Sequence, residues 1–136
     1  MKQEDKELLL KDICARLPYG VKARVYNHWR DDVQDETITI ENLHQLIKTF
    51  SIEDIKPYLF PLSSMTEEQK EELKNEISKQ TDILIERMKN DDCGIDCGKY
   101  HFHSLLELEW CIKNRFDYRG LIPMDLAEDA TGKNIY

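Results

Sequence analysis

The chain has 136 residues, of which 40% are hydrophobic and 34% are charged. This length and composition are typical of one globular domain with one hydrophobic core and a polar surface. The 27 acidic and 19 basic side chains give a net charge of −8, which argues against a protein whose main task is to neutralise nucleic-acid phosphates. No apolar run is long enough for a membrane span, and the charged first residues do not resemble a secretion signal. We therefore expect a cytoplasmic protein with reduced cysteines and no membrane partner.

Charge is unevenly distributed along the chain. Residues 1–30 carry a net charge of +3, whereas every later stretch is acidic. No internal repeat, Gly/Ser linker or low-complexity tract divides the sequence. We expect a single domain over residues 1–136, with a partly ordered polar tail at residues 124–136.

The first predicted element is a helix from about Glu4 to Leu17. Apolar residues recur there at the helical spacing i, i+3, i+4 and i+7 and share one face, namely Leu10, Ile13, Cys14 and Leu17. Pro18 and Gly20 end the helix, because proline lacks the backbone donor and glycine permits the turn. On this pattern Cys14 is expected to be a small buried side chain.

From Tyr19 to Phe60 the hydrophobic period changes to two. Val21, Ala23 and Val25 alternate with polar residues, which predicts a half-buried strand. The β-branched run Thr37–Ile40 predicts a second strand.

Residues Leu43–Ser51 fit either a helical stripe or a strand, and we favour a third strand that begins near Gln45. Pro57 and Pro61 confine the stretch that follows to a sheet edge or an extended turn. No helix separates the strands, so we expect an antiparallel sheet.

Two helices are predicted in the C-terminal half. The sequence Thr66-Glu67-Glu68-Gln69 matches a capping box and begins a helix that runs to about Lys89. A second helix is expected from about Phe102 to Phe116, with Gly120 and Pro123 as stop signals. The predicted fold class is therefore α+β: an N-terminal helix, a small antiparallel sheet of three or four strands that is either open or a small barrel, and two C-terminal amphipathic helices.

Four metal-ligating side chains lie within eleven residues in the pattern C-x3-C-x3-H-x-H. They are Cys93, Cys97, His101 and His103. Thiolate and imidazole suit zinc, but the two ligand pairs are closer together than in typical structural sites. The alternatives are a Cys93–Cys97 disulfide, a Cys97 nucleophile activated by His101, and a loop with no bound group, which we favour.

Two further places are candidates for binding a partner. Tyr118 and Arg119 follow the last predicted helix, where an arginine either caps carbonyl groups or meets another protein. Trp29 lies in a polar connection between the first two strands and belongs either to the edge of the core or to a contact patch.

Four segments of the chain carry a resemblance to known sequences, namely Leu17–Lys22, Ile55–Leu59, Pro61–Glu68 and Phe116–Pro123. They resemble a family of small uncharacterised proteins encoded by intestinal anaerobes and by their phages and mobile elements. The resemblance implies a setting in a phage or mobile element and implies no activity, substrate or cofactor.

We therefore expect a non-enzymatic protein that binds another protein as an accessory factor of a mobile element. A second hypothesis is a nucleic-acid-linked protein, either a direct binder that uses Lys22, Arg24 and Arg30 or an acidic mimic of DNA. The third is a small zinc-binding protein, and zinc analysis of protein purified without an affinity tag tests it.

Overall fold

The structure, a computed structural model, describes residues 1–88 and 105–136. The chain forms two compact units, one of Met1–Ser64 with Ile112–Tyr136 and the other of Met65–Cys111. The helices and strands of the first unit are α1 (Gln3–Arg16), β1 (Val21–Asn27), β2 (Asp32–Ile38), α2 (Leu43–Thr49), β3 (Ile55–Leu59) and β4 (Glu128–Asp129). The second unit contains α3 (Glu67–Met88). Residues 105–113 are helical and cross the boundary between the units.

The first unit confirms the α+β class with an N-terminal helix and an open sheet. Its four strands lie in the order β2-β1-β3-β4. β1 is antiparallel to both β2 and β3, as expected, but β4 is parallel to β3, so the sheet is mixed. The parallel pairing is possible because a long connection separates β3 from β4 and returns the chain to the same end of the sheet.

The prediction of a third strand near Gln45 was wrong, because Leu43–Thr49 form the helix α2. The helical spacing prevails since it buries Leu46 and packs Leu43 and Phe50 against the core. Asn42 holds the preceding turn: its Oδ1 accepts from the Thr39 amide at 2.8 Å, and its Nδ2 donates to the Thr37 carbonyl at 2.7 Å. The third strand begins later, at Ile55.

The strand β3 contains Pro57 and nevertheless lies between β1 and β4 rather than at an edge. The Tyr136 hydroxyl accepts from the Lys22 amide and donates to the Tyr58 carbonyl, both at 2.9 Å. The Lys22 amide on β1 and the Tyr58 carbonyl on β3 therefore face each other across the gap between the two strands. Main-chain groups alternate in direction along a strand, so the nitrogen of Pro57 is directed away from β1. The missing amide hydrogen therefore removes no hydrogen bond between β1 and β3.

The buried face of α1 differs from the predicted one. It consists of Leu9, Asp12, Ile13 and Arg16. Leu10 is 38% exposed, and Cys14, expected to be buried, is exposed. Asp12 and Arg16 take the buried positions that the sequence assigned to Leu10 and Cys14, because their opposite charges neutralise each other.

Asp12 and Arg16 form a buried ion pair that joins α1 to the C-terminal part of the unit. Arg16 Nε and Nη2 donate to the two carboxylate oxygens of Asp12 at 2.8 and 3.2 Å. Arg16 Nη2 also donates to the Phe116 carbonyl at 2.8 Å, and Arg119 Nε lies 3.3 Å from Asp12 Oδ1. The pair is thus satisfied by contacts that span most of the chain.

The C-terminal segment, for which we expected partial order at residues 124–136, packs into the first unit. Leu126 and Ala127 belong to the hydrophobic core, together with residues from α1, the sheet and α2. The Ala130 amide donates to the Leu59 carbonyl at 2.8 Å and extends the pairing of β4 with β3.

In the second unit, α3 begins with the predicted capping box. Thr66 Oγ1 accepts from the Gln69 amide at 3.2 Å, and Gln69 Oε1 accepts from the Thr66 amide at 2.9 Å. No helix among the described residues has both the length and the apolar character that crossing a bilayer requires.

The last predicted helix, Phe102 to Phe116, lies partly outside the described residues and ends earlier than expected. Helical residues stop at 113, and Arg115 has the left-handed φ of 64°. Phe116 is not helical but forms a bridge with Phe60 and is buried. The chain thus leaves the helix before Gly120, the predicted stop signal. Two hydrogen bonds with Phe60 hold it in the new direction: the Phe60 amide donates to the Arg115 carbonyl, and the Asp117 amide donates to the Phe60 carbonyl.

Replacing Asp12 with Ala should lower the free energy of unfolding by about 3–5 kcal/mol, because Arg16 would remain buried without its counter-ion. The double variant Asp12→Leu with Arg16→Met should recover part of that loss, since it removes the buried guanidinium of Arg16 but still leaves Arg119 without its partner. Urea denaturation measures both effects, with Glu7→Ala on the exposed side of the same helix as the control. Equal stabilities of Asp12→Ala and Glu7→Ala would contradict the proposed role of the pair.

Candidate interaction surface

The loop that joins β1 and β2 presents Trp29 in a turn held by its own side chains. Asn27 Oδ1 accepts from the amides of Trp29 and Arg30 at 3.0 and 3.3 Å. Such a bond from an asparagine to the main chain that follows it stabilises a turn. Asp31 closes the loop with a φ of 50°, a left-handed conformation that aspartate tolerates better than most residues.

Further contacts hold the loop within the hairpin, and one of them joins it to another part of the unit. His28 Nε2 and Asp54 Oδ1 are 2.8 Å apart, which ties the loop to the turn before β3. The His28 ring also meets the Tyr26 ring edge-on, with centroids 4.7 Å apart. The Tyr26 hydroxyl donates to Asp31, and this bond is the main cause of a raised pKa for Tyr26. The loop is therefore a defined scaffold for the side chain at its tip.

The indole of Trp29 is 90% exposed, the largest value among the large hydrophobic side chains of the described residues. Val33, opposite Tyr26 in the β1–β2 register, is 47% exposed. A large aromatic ring left in water while its loop is anchored on several sides is typical of a contact residue for another protein. At this exposure Trp29 is not at the edge of the core, and its role as a contact for a partner stays a prediction.

Next to the hairpin tip, the outer face of the sheet contains a shallow hollow of about 200 Å³. It is lined by Arg24, Tyr26, Val33, Glu53, Asp54, Lys56 and Glu128. Its cations are already paired, since Arg24 lies 3.1 Å from Glu128 and Lys56 lies 2.8 Å from Asp125. The hollow therefore offers a mixed polar surface without a free excess of positive charge.

On the β3 side, the outer face is covered by Tyr58 and the C-terminal residues. The Tyr58 hydroxyl donates to Asp35 Oδ1 at 2.7 Å, across the intervening strand β1. Burial, with this hydrogen bond as the second cause, raises the pKa of Tyr58 to about 12. Tyr136 and Lys133 lie over the same region, with Lys133 Nζ 5.6 Å from the centre of the Tyr58 ring. The uncovered parts of the sheet are thus the end that carries the hairpin tip and the strand β2, whose outer residues Val33, Asp35 and Thr37 are exposed.

The other two predicted interaction residues have partners within the fold. The Arg119 guanidinium forms the ion pair with Asp12 and lies 4.7 Å from the centre of the Tyr118 ring. The Arg16 guanidinium lies 5.5 Å from the centre of the same ring. Burial raises the pKa of Tyr118. These contacts favour the structural reading of Tyr118 and Arg119.

The candidate zinc ligands Cys93, Cys97, His101 and His103 lie outside the described residues. Within residues 1–88 and 105–136, no group of three or more His, Cys, Asp or Glu side chains is placed to hold a metal ion. The zinc and disulfide hypotheses for the cluster stay predictions.

Sequence reasoning named Trp29 and missed the residues that present it. Asn27 precedes a turn, and an asparagine at that place is a recognisable turn signal. The contact between His28 and Asp54 joins residues 26 apart in the chain, which no local pattern indicates.

The free energy of unfolding should fall as the pH rises from about 10 to about 12, by up to about 2 kcal/mol from Tyr58 alone. Unfolded Tyr58 loses its proton near pH 10, whereas folded Tyr58 keeps it to about pH 12, so the stabilisation is complete below pH 10 and is lost above it. Urea denaturation at a series of pH values should show a flatter dependence for Tyr58→Phe. Identical pH dependences of the variant and the natural chain would contradict the assignment.

Comparison of the chain with models of protein families, with curated proteins and with solved structures found no match.

Proposed function

We propose that this chain is a non-enzymatic protein-interaction module, an accessory factor of a phage or mobile element, that binds a partner protein through Trp29. The observation that carries the proposal is the 90% exposed indole on an anchored loop. Tryptophan is enriched among the residues that dominate protein–protein binding energies, because its ring buries a large apolar area. The partner would supply an apolar pocket for the indole.

Anchoring of the loop supports this proposal as much as exposure does. A side chain on a mobile loop loses conformational freedom on binding, which lowers affinity. Here the Asn27 side chain holds the turn, and the contact of His28 with Asp54 holds the loop against the turn before β3. The loop has therefore lost much of that freedom before a partner arrives.

The charges near the tip favour a protein over a nucleic acid as the partner. Two of the three basic residues considered for nucleic-acid binding are engaged within the unit, since Arg24 pairs with Glu128 and Lys22 Nζ donates to the Ile135 carbonyl at 2.8 Å. Arg30 is exposed but is followed directly by Asp31 and Asp32, whose carboxylates repel phosphate.

Trp29→Ala should weaken binding of the partner about 30-fold or more, as expected for removal of a dominant aromatic contact. The experiment immobilises the natural chain, the Trp29→Ala variant and a control variant, and captures partners from an extract of the host cell. The captured partner is then purified, and its dissociation constant is measured for each of the three chains. Leu62→Ala is the control, because Leu62 is another exposed large hydrophobic side chain, at 46%.

Trp29→Ala should leave the free energy of unfolding within about 0.5 kcal/mol of the natural value, because the indole is exposed. Asn27→Ala, which leaves the indole in place but removes the acceptor that holds its turn, should weaken binding less than Trp29→Ala does. Equal capture by the natural chain and Trp29→Ala would overturn the proposal.

A further inference from the structure

The strand β2 is an edge of the sheet, since β1 is its one neighbour in the strand order. Lys22 directs its main-chain groups toward Tyr136, on the β3 side of β1. Main-chain groups alternate in direction along a strand, so the β1 residues that bond to β2 are Val21, Ala23 and Val25.

The outward-facing residues of β2 follow from this register. The β2 residues Ile38, Glu36 and Gln34 pair with those three and face β1. The main-chain groups of the residues between and beside them, Val33, Asp35 and Thr37, therefore face outward. The bond from Asn42 Nδ2 to the Thr37 carbonyl agrees with this direction.

The outward main-chain groups of β2 are available for pairing. Among the residues that the structure describes, none is hydrogen-bonded to the main chain of Val33 or Asp35, whereas the Thr37 carbonyl is occupied by Asn42. The amides and carbonyls of Val33 and Asp35, together with the Thr37 amide, thus form a short edge to which another strand can pair.

The charge of this edge specifies what can pair with it. β2 carries Asp32, Asp35 and Glu36 and has no basic residue. Arg24, opposite Asp35 in the register, points its guanidinium to Glu128 instead. Two β2 edges placed together would bring like charges into contact, which disfavours pairing with a second copy of the chain.

We infer that β2 accepts an extended, basic segment of the partner protein as an additional strand of the sheet. The inference rests on the proposed function and names the mode of binding and the chemistry of the partner. Lysine or arginine side chains of the segment would meet the carboxylates of β2, and its main chain would pair with Val33 and Asp35. Since β2 starts directly after the hairpin loop, a partner bound along it also reaches Trp29.

The probe is a short synthetic peptide of alternating lysine and valine with blocked ends, added to the ¹⁵N-labelled full chain. A matched peptide with glutamate in place of lysine is the control. We expect the lysine peptide to shift the amide resonances of Val33, Asp35 and Thr37, to slow hydrogen exchange at Val33 and Asp35, and to bind more weakly as salt is added. No shifts with the lysine peptide, or equal shifts with the glutamate peptide, would overturn the inference.

Val33→Pro removes one outward amide and should weaken peptide binding about tenfold, without removing a bond between β1 and β2. Val33→Ala shortens the same side chain but keeps the amide, so it should bind nearly as the natural chain does. Asp32→Lys changes the charge and not the pairing groups, and should weaken binding several-fold. Equal losses for Val33→Pro and Val33→Ala would show a side-chain contact and would overturn strand addition.

The same variants separate this inference from the proposed function. If Trp29→Ala loses the cellular partner while Val33→Pro captures it normally, the interaction through Trp29 stands and strand addition fails. If Val33→Pro and Asp32→Lys lose the partner while Trp29→Ala keeps it, the edge is the binding site and the role of Trp29 fails. Concentration-dependent shifts of the β2 amides in the chain alone would show pairing with a second copy and would overturn the basic partner.

Discussion

The first unit depends on one buried carboxylate. Asp12 is fully buried on α1 and holds Arg16 in a two-pronged contact, while Arg119 approaches the same group from the C-terminal segment. An isolated buried charge would be costly, so the three side chains are stable only together. The guanidinium of Arg16 also binds the Phe116 carbonyl, 100 residues away in the sequence, and thereby fastens the C-terminal segment to α1.

Fastening the C-terminal segment determines which part of the sheet remains open. From Phe116 the chain continues to β4 and then to Tyr136, whose hydroxyl bridges β1 and β3 where the two strands separate. Tyr58 lies beneath this segment and reaches across to Asp35. The outer face is therefore covered on the β3 side and uncovered at the hairpin tip and along β2.

The open end combines two features on which the proposed interaction rests. Trp29 offers apolar area in a position held by its loop, and β2 offers main-chain hydrogen bonds framed by acidic side chains. In the proposed interaction, the first would supply affinity without selecting an orientation, and the second would select the extended conformation and the charge of what binds. We propose that together they specify an extended basic segment next to an apolar pocket.

The sequence by itself determined the features that depend on neighbouring residues: the extent of α1, the strand β1 and the capping box of α3. Each follows from spacing or capping within a few residues, which the chain carries locally. The tertiary structure alone decided which face of α1 is buried, because Leu10 and Cys14 lost that place to Asp12 and Arg16. It also decided that Leu43–Thr49 are helical, that a parallel strand from the C-terminal segment joins the sheet, and that β2 is an edge strand. Those outcomes depend on partners distant in the sequence, whose charges and hydrogen bonds become complementary only when the chain is folded.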